Sequence, residues 1–135
     1  MARRVLVVDD HQPTVQLIRS ALEGMGLEVS TAGNGAEALL AVRDEKPDLV
    51  ILDVMMPVLD GFQTLNALHE SPETEDLPVI MLTARSSDVD IAHGWRSGVT
   101  SYLTKPFSLD QLTAMVRRVL EAFAPVSSAP EQQPE

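Results

Sequence analysis

The residues of this chain that could do chemistry are a few polar side chains, each placed directly after a short apolar run. They are three aspartates, one threonine and one lysine, namely Asp9, Asp10, Asp53, Thr83 and Lys105. Carboxylates brought close together repel each other unless a cation joins them. Their oxygen atoms are ligands of the kind that Mg2+ takes, together with water and phosphate oxygens. No His or Cys is placed to favour zinc.

Asp53 is the candidate nucleophile of this group, because carboxylates form aspartyl-phosphates. Mg2+ and the Lys105 ammonium would neutralise the oxygens of a phosphoryl group, and the Thr83 hydroxyl could bind one of them after transfer. A nucleophilic carboxylate need only be ionised, so none of these residues needs an unusual pKa. Each residue taken singly has a plainer interpretation as a turn residue, a helix cap or a solvated charge. The set favours phosphoryl transfer, because four strand ends carry the required groups.

These side chains can meet only if the apolar runs are parallel strands of one sheet. Runs at 5–8, 49–52 and 79–82 are typical of buried strands, and weaker candidates lie at 28–32 and 101–104. Strands alternate with helical stretches, which predicts an α/β fold with a parallel sheet and helices on both faces. Ligands of such sheets bind beyond the carboxyl ends of the strands.

The stretches between the runs have the apolar spacing of helices. The first predicted helix begins near Pro13 and ends at Gly26. The next three are predicted over 36–44, 61–70 and 87–97. The last has Ser108 as its N-cap. Its wide apolar stripe consists of Leu109, Leu112, Met115, Val116, Val119, Leu120 and Phe123.

Length and composition predict one domain and a short tail. The chain has 135 residues, of which 44% are hydrophobic, enough for one core. We expect the domain to cover 1–123, and 124–135, rich in Pro, Ser and Glu, to be a flexible tail or linker. The lack of cysteine excludes disulfides and thiolate metal sites.

Charge and hydropathy exclude two classes of partner. A formal net charge of -10 disfavours direct binding of nucleic acid by this chain. The N-terminus does not have the pattern of a signal peptide, and no apolar run is long enough to cross a bilayer. We therefore expect a soluble, cytoplasmic protein without membrane contact.

Four segments together resemble bacterial two-component receiver domains. They are VLVVDDHQ, PDLVILDVMMPVLDGF, LPVIMLTAR and GVTSYLTKPF, and the similarity extends from about residue 4 to residue 123. The resemblance implies a flavodoxin-like (βα)5 fold with strand order 2-1-3-4-5. It also implies a signalling switch that takes a phosphoryl group from the phosphohistidine of a histidine kinase. Such a switch catalyses its own phosphorylation and dephosphorylation and is not a conventional enzyme.

The resemblance assigns a role to each residue of the candidate metal site. Asp53 becomes the phosphorylation site and also a ligand of Mg2+. Asp10 and the backbone carbonyl of Met55 would bind the ion directly, whereas Asp9 would act mainly through water.

Further residues match the family's switch and its supporting loops. Thr83 and Tyr102 match the switch pair, in which the hydroxyl moves towards the phosphoryl group and the aromatic ring turns inward. Lys105 matches the family's lysine, and its peptide bond to Pro106 is expected to be cis. Gly61 is expected to supply backbone freedom in the loop after the phosphorylation site.

The resemblance also implies partners. The upstream partner would be a histidine kinase or a phosphotransfer protein, and the downstream partner an effector protein or an output domain. Phosphorylation would change binding on the face formed by the fourth helix, fifth strand and fifth helix. The family also uses this face for dimers, so a phosphorylation-dependent homodimer stays open. Trp95 in the predicted fourth helix is either a core aromatic or an anchor on this face.

Two other functions compete with this interpretation. A binding module that keeps the fold but signals without phosphorylation would usually have lost an acid or the lysine, and this chain retains them. A phosphatase with an aspartate nucleophile commonly carries two aspartates separated by one residue after its first strand. This chain instead has Asp9 and Asp10 adjacent, followed by His11.

Overall fold

The strands of the protein form one parallel sheet. The computed structural model describes residues 3–54, 60–83 and 100–123. In these ranges the strand order is β2-β1-β3-β4-β5, and every neighbouring pair is parallel. The strands are β1 (Arg4–Val8), β2 (Glu28–Ala32), β3 (Leu49–Asp53), β4 (Val79–Thr83) and β5 (Ser101–Thr104). The predicted α/β fold and strand order are confirmed.

Helices connect the strands where the apolar spacing predicts them. They are α1 (Gln12–Glu23), α2 (Gly35–Asp44), α3 (Gly61–Glu70) and the C-terminal helix (Leu109–Ala122). Ser108 is the N-cap of the C-terminal helix, and its side chain accepts a hydrogen bond from the backbone N–H of Gln111. The predicted helix over 87–97 lies outside the described residues.

The end of α1 shows why a glycine stands there. Gly26 has a φ of +88°, in the left-handed region. Its N–H donates to the carbonyl of Glu23, and the N–H of Leu27 donates to the carbonyl of Leu22. These two hydrogen bonds satisfy carbonyls of the last helical turn. The predicted stop is therefore correct, although the helix itself ends at Glu23.

Two apolar layers cover the two faces of the sheet, because successive strand residues point to opposite faces. Leu6 and Val8 of β1 belong to the layer beneath α2 and α3. Val5 and Val7 belong to the layer beneath α1 and the C-terminal helix. Every residue of β3 and of β4 is buried, so these strands form the centre of the domain.

The end of the C-terminal helix departs from the predicted apolar stripe. Phe123, the last member of the predicted apolar stripe, follows the C-terminal helix and is 47% exposed. It is therefore not part of the core. Among the described residues, no helix combines the length and apolar character required to cross a membrane.

Candidate functional site

The carboxyl edge of the sheet, where β1, β3, β4 and β5 end, gathers the polar residues. Asp53 pairs in register with Leu82, and Thr83 pairs with Thr104, the residue before Lys105. Backbone hydrogen bonds continue the pairing past the strands, from Val54 N–H to the carbonyl of Leu82 and from Lys105 N–H to that of Thr83. Parallel pairing therefore places distant parts of the chain side by side.

Three carboxylates converge at this edge. Oxygens of Asp9, Asp10 and Asp53 all lie within 4.8 Å of one another. Asp9 is 1% exposed and Asp53 is 5% exposed, whereas Asp10 lies on the surface. One Asp9 oxygen, Oδ1, accepts a hydrogen bond from the backbone N–H of His11 at 3.0 Å. Two of the three charges are therefore removed from water. Their repulsion is stronger in the protein interior, because water no longer screens it.

Lys105 brings a positive charge to these carboxylates. Its Nζ donates a hydrogen bond to Asp53 Oδ1 at 3.0 Å and lies 3.5 Å from Asp9 Oδ2. The second contact lacks hydrogen-bond geometry, since Asp9 Oδ2 is buried without a hydrogen-bond partner in the described part of the chain. The Lys105 ammonium thus contacts two buried carboxylates and donates a hydrogen bond to Asp53.

This arrangement shifts two pKa values. Burial raises the pKa of Asp53, and the Asp9 charge adds to that rise, although the Lys105 hydrogen bond acts against it. For Lys105, burial alone would lower the pKa, but the hydrogen bond and charge of Asp53 raise it overall. Phosphoryl transfer needs neither shift, and both follow from the burial and close approach of these charged groups. A buried carboxylate beside two others takes up a proton more readily than an exposed one.

The site has the donors that a hard divalent cation requires. All three converging side chains offer oxygen atoms, and the buried Asp9 Oδ2 still lacks a hydrogen-bond donor among the residues described. A divalent cation would relieve both the mutual repulsion and the unsatisfied oxygen. These residues therefore fit Mg2+.

The predicted switch residues flank the same edge. Thr83 ends β4 and is buried, with 5% exposure. Tyr102, on β5, is half-buried and packs against the apolar layer beneath α2 and α3. The peptide bond between Lys105 and Pro106 is cis. Thr83 thus lies at the end of a central strand and Tyr102 on the neighbouring edge strand.

Gly61 has a different role from the predicted one. Among the described glycines only Gly26 has a positive φ, so backbone freedom does not explain Gly61. A Cβ at this position would lie 2.6 Å from the carbonyl oxygen of Asp53 and 2.8 Å from the Cα of Val54. Glycine is required because the first residue of α3 lies directly against the strand end that carries Asp53.

The sequence interpretation missed the residues that anchor α3 beside the site. Asp60 and Gln63 form a reciprocal capping box, and the Thr64 hydroxyl donates to the carbonyl of Asp60. The signal was present, since an acidic N-cap followed three residues later by Gln is a capping pattern. Two predicted site residues, Met55 and Trp95, lie outside the described residues.

With this geometry established, comparison with known proteins identifies the family. The chain matches the response regulator receiver domain over residues 5–117. It belongs to that family. Receiver domains are signalling switches of two-component systems and not conventional enzymes, and they generally bind Mg2+ at an acidic site.

Individual relatives agree with this assignment. The receiver domain is 41% identical over 130 residues to the alkaline phosphatase synthesis transcriptional regulatory protein PhoP of Bacillus subtilis, a match that covers 94% of this chain and 53% of that protein. It is 38% identical over 117 residues to the DNA-binding response regulator MtrA of Mycobacterium tuberculosis, covering 87% of this chain and 50% of that protein. The chain therefore spans about half the length of these curated relatives.

A solved structure has the same fold over its whole length. The chemotaxis protein CheY4 of Vibrio cholerae superposes with a TM-score of 0.85 at 35% identity, covering 89% of this chain and 100% of that chain. The receiver fold therefore accounts for nearly all of the sequence.

Proposed function

We propose that this receiver domain is a phosphoacceptor switch in which Asp53 takes a phosphoryl group from the phosphohistidine of a histidine kinase or phosphotransfer protein. The observation that carries this proposal is the hydrogen bond of 3.0 Å between Lys105 Nζ and Asp53 Oδ1, within a group of three carboxylates. Among the described residues, three carboxylates around the Lys105 ammonium leave an excess of negative charge, which a divalent cation would balance.

The phosphoryl group would pass from the donor's imidazole to Asp53 in one displacement step. An Asp53 carboxylate oxygen attacks phosphorus while the bond from phosphorus to the donor's imidazole nitrogen breaks. The bonding electron pair returns to the imidazole, and an acyl phosphate forms on Asp53. The Lys105 ammonium then lies near the new phosphoryl oxygens and stabilises their charge. Attack of water on phosphorus would later release phosphate and restore the carboxylate.

Asp10, Asp53 and the backbone carbonyl of Met55 would hold Mg2+, with Asp9 acting through water. When bound, the ion neutralises the phosphoryl oxygens during transfer. Asp9 is well suited to an indirect role, because its Oδ1 is already hydrogen-bonded to the backbone of His11. Asp10 is the exposed member of the group and is accessible to an ion arriving from solvent.

Phosphorylation would act as a two-state switch. The Thr83 hydroxyl would bind a phosphoryl oxygen, and the ring of Tyr102 would turn inward, shifting the population towards an active surface. That surface would be the face formed by the predicted fourth helix, β5 and the C-terminal helix, with Trp95 as a candidate anchor. Its partner would be an effector protein, an output domain or a second copy of this chain. We also propose that the domain covers 1–123, that 124–135 is a flexible tail or linker, and that the protein is cytoplasmic.

Intact-mass measurement tests the phosphoacceptor proposal. We expect incubation with Mg2+ and acetyl phosphate to add the mass of one phosphoryl group to the protein, and Asp53→Ala to abolish the gain. Asp76→Ala is the matched control, since Asp76 is 80% exposed and lies on the opposite edge of the sheet. We expect this control to be phosphorylated as the unmodified protein is.

The other outcomes separate the competing functions. An unchanged mass in the folded protein would reject the phosphoacceptor role and favour a binding module that works without phosphorylation. Repeated turnover of a general phosphoester would favour the phosphatase instead. Phosphorylation of the Asp53→Ala variant to the same extent would show that another residue is the acceptor.

A further inference from the structure

The first residue of α3 contacts the backbone of the phosphoacceptor strand without any intervening side chain. The N–H of Gly61 donates a hydrogen bond to the carbonyl of Val54 at 2.9 Å. A Cβ at Gly61 would lie 2.6 Å from the Asp53 carbonyl oxygen, well inside the distance of about 3.4 Å at which ordinary contacts begin. The helix therefore approaches the strand end as closely as only glycine permits.

The backbone of Val54, the residue after Asp53, is held from both sides. Val54 accepts from Gly61 of α3 and donates its own N–H to the carbonyl of Leu82 on β4 at 2.9 Å. The start of α3 is itself fixed, because the capping box of Asp60 and Gln63 closes its first turn. The position of the Asp53 backbone is thus set by two elements that have no charged group in the site.

We infer that Gly61 is a positioning residue for phosphorylation, which holds the Asp53 carboxylate at its distance from Lys105 and the neighbouring carboxylates. The inference rests on the proposed function, since it explains how the Asp53 carboxylate is positioned to accept the phosphoryl group. A methyl group at Gly61 would push the Asp53 and Val54 backbone away by several tenths of an ångström. The Asp53 oxygen would then leave its position 3.0 Å from Lys105 Nζ.

The test is the Gly61→Ala variant of the full chain. We expect its rate of phosphorylation by acetyl phosphate, per folded molecule, to fall by about ten- to a hundredfold, as small misplacements of reacting groups do. In Mg2+-free protein, we also expect the backbone amide signals of Asp53, Val54 and Lys105 to shift in NMR spectra. A purely structural role would lower stability without moving these signals selectively.

Gly33→Ala is the matched control. Gly33 lies just before α2, and the nearest atom to a Cβ there is Glu37 Oε1 at 3.5 Å, an ordinary contact. We expect Gly33→Ala to keep the rate within about twofold, because no backbone needs to move.

A double variant tests whether the methyl group added at Gly61 acts through contacts with backbone atoms or with the Met81 side chain. Met81 Cε would lie 3.0 Å from the added methyl group, and a flexible side chain can move aside. We expect Met81→Ala not to restore the rate in the Gly61→Ala background, because the closest contacts are with backbone atoms. Restoration of the rate would assign the defect to Met81 and overturn the inference.

The remaining outcomes also decide the question. If Gly61→Ala is unstable, its rate is measured in a stabilising osmolyte and divided by the folded fraction. A wild-type rate per folded molecule, unchanged Asp53 and Lys105 signals, or failure to fold even in osmolyte would overturn the positioning role. Failure of the unmodified protein to be phosphorylated would instead reject the proposed function, and the Mg2+-free spectra would still test the positioning contact.

Discussion

The two edges of the sheet hold their charges in opposite ways. Among the described residues of the carboxyl edge, three carboxylates converge near the ammonium of Lys105, and two of the carboxylates are buried. At the amino edge, where the strands begin, Arg4 pairs with Glu28 and Glu45, and all three side chains are more than 40% exposed. Charges are thus paired in solvent at one edge and crowded away from solvent at the other.

The charges at the two edges contribute differently to stability and to function. Exposed ion pairs of the Arg4 type contribute little to folding, because water already solvates both partners. The carboxyl edge carries repulsion that the fold tolerates because the strands beneath it are fully buried. Electrostatic repulsion of this kind is expected at a site that binds a cation and a phosphoryl group.

Removal of the Lys105 ammonium should have the largest effect. We expect Lys105→Met to lower the phosphorylation rate by about a hundredfold, because the ammonium that contacts Asp53 would no longer face the developing charge. The measurement is the rate with acetyl phosphate at saturating Mg2+. Lys46→Met, at the amino edge, removes a cation that lies 3.5 Å from Asp76 and should leave the rate unchanged. Equal loss in both variants would mean that net charge, and not position, determines the rate.

Binding of Mg2+ should relieve the repulsion at the carboxyl edge. At a free concentration one hundred times the dissociation constant, we expect about 2.7 kcal/mol of added stability towards urea. Asp10→Asn should weaken Mg2+ binding and remove most of this gain in stability at the same Mg2+ concentration. Stabilisation of equal size in Asp10→Asn would place the ion elsewhere.

Neutralising the acceptor should stabilise the Mg2+-free protein. We expect Asp53→Asn to add about 1 kcal/mol, because the burial and the Asp9 charge that raise the pKa of Asp53 also disfavour its ionised form in the folded state. Asp48→Asn is the matched change at the amino edge, where Asp48 Oδ2 accepts from the N–H of Arg4 at 2.7 Å. It should cost about 0.5–1 kcal/mol, since a charge-assisted hydrogen bond is weakened. Urea unfolding measures both, and the same sign in both variants would contradict the contrast between the edges.

The raised pKa of Asp53 adds a dependence on pH with a definite sign. Between the ordinary carboxyl pKa and the raised one, the folded state binds more protons than the unfolded state. The Asp53 contribution to the stability of the Mg2+-free protein therefore falls as the pH rises above about 4 and levels off beyond the raised pKa. The advantage of Asp53→Asn over the unmodified protein should grow over the same interval. An advantage that is constant with pH would rule out this electrostatic origin.

The smallest effect should come from the amino edge. We expect Arg4→Met to lower the free energy of unfolding by at most about 1 kcal/mol, with the loss fading at high salt. Phosphorylation should be unaffected. A loss of several kcal/mol, or a slower reaction, would mean that the two edges are coupled more strongly than their separation suggests.

The sheet and the convergence of its polar residues could be predicted from the sequence for one physical reason. The apolar runs of β1, β3 and β4 are buried on both sides, and such strands have a continuous apolar pattern that short helices lack. Parallel pairing then places Asp53 near Lys105 without further information.

What could not be predicted depends on distances. The role of Gly61 arises from a contact between backbones, and a glycine chosen for close approach looks the same in a sequence as one chosen for a positive φ. The raised pKa of Asp53 depends on how deeply β3 is buried and on how close Asp9 lies. The exposure of Phe123 follows from where the C-terminal helix ends, one residue before it.

The most direct test of the central claim is to locate the phosphoryl group within the chain. The protein is phosphorylated by acetyl phosphate with Mg2+, digested under conditions that preserve acyl phosphates, and analysed by peptide mass spectrometry. We predict that the modification lies on Asp53 and is removed by hydroxylamine, as an acyl phosphate should be. We also predict that it does not form when EDTA replaces Mg2+ in the labelling reaction. A phosphoryl group on any other residue, or equal labelling in EDTA, would contradict the claim that the converging carboxylates form a Mg2+-dependent phosphoacceptor site.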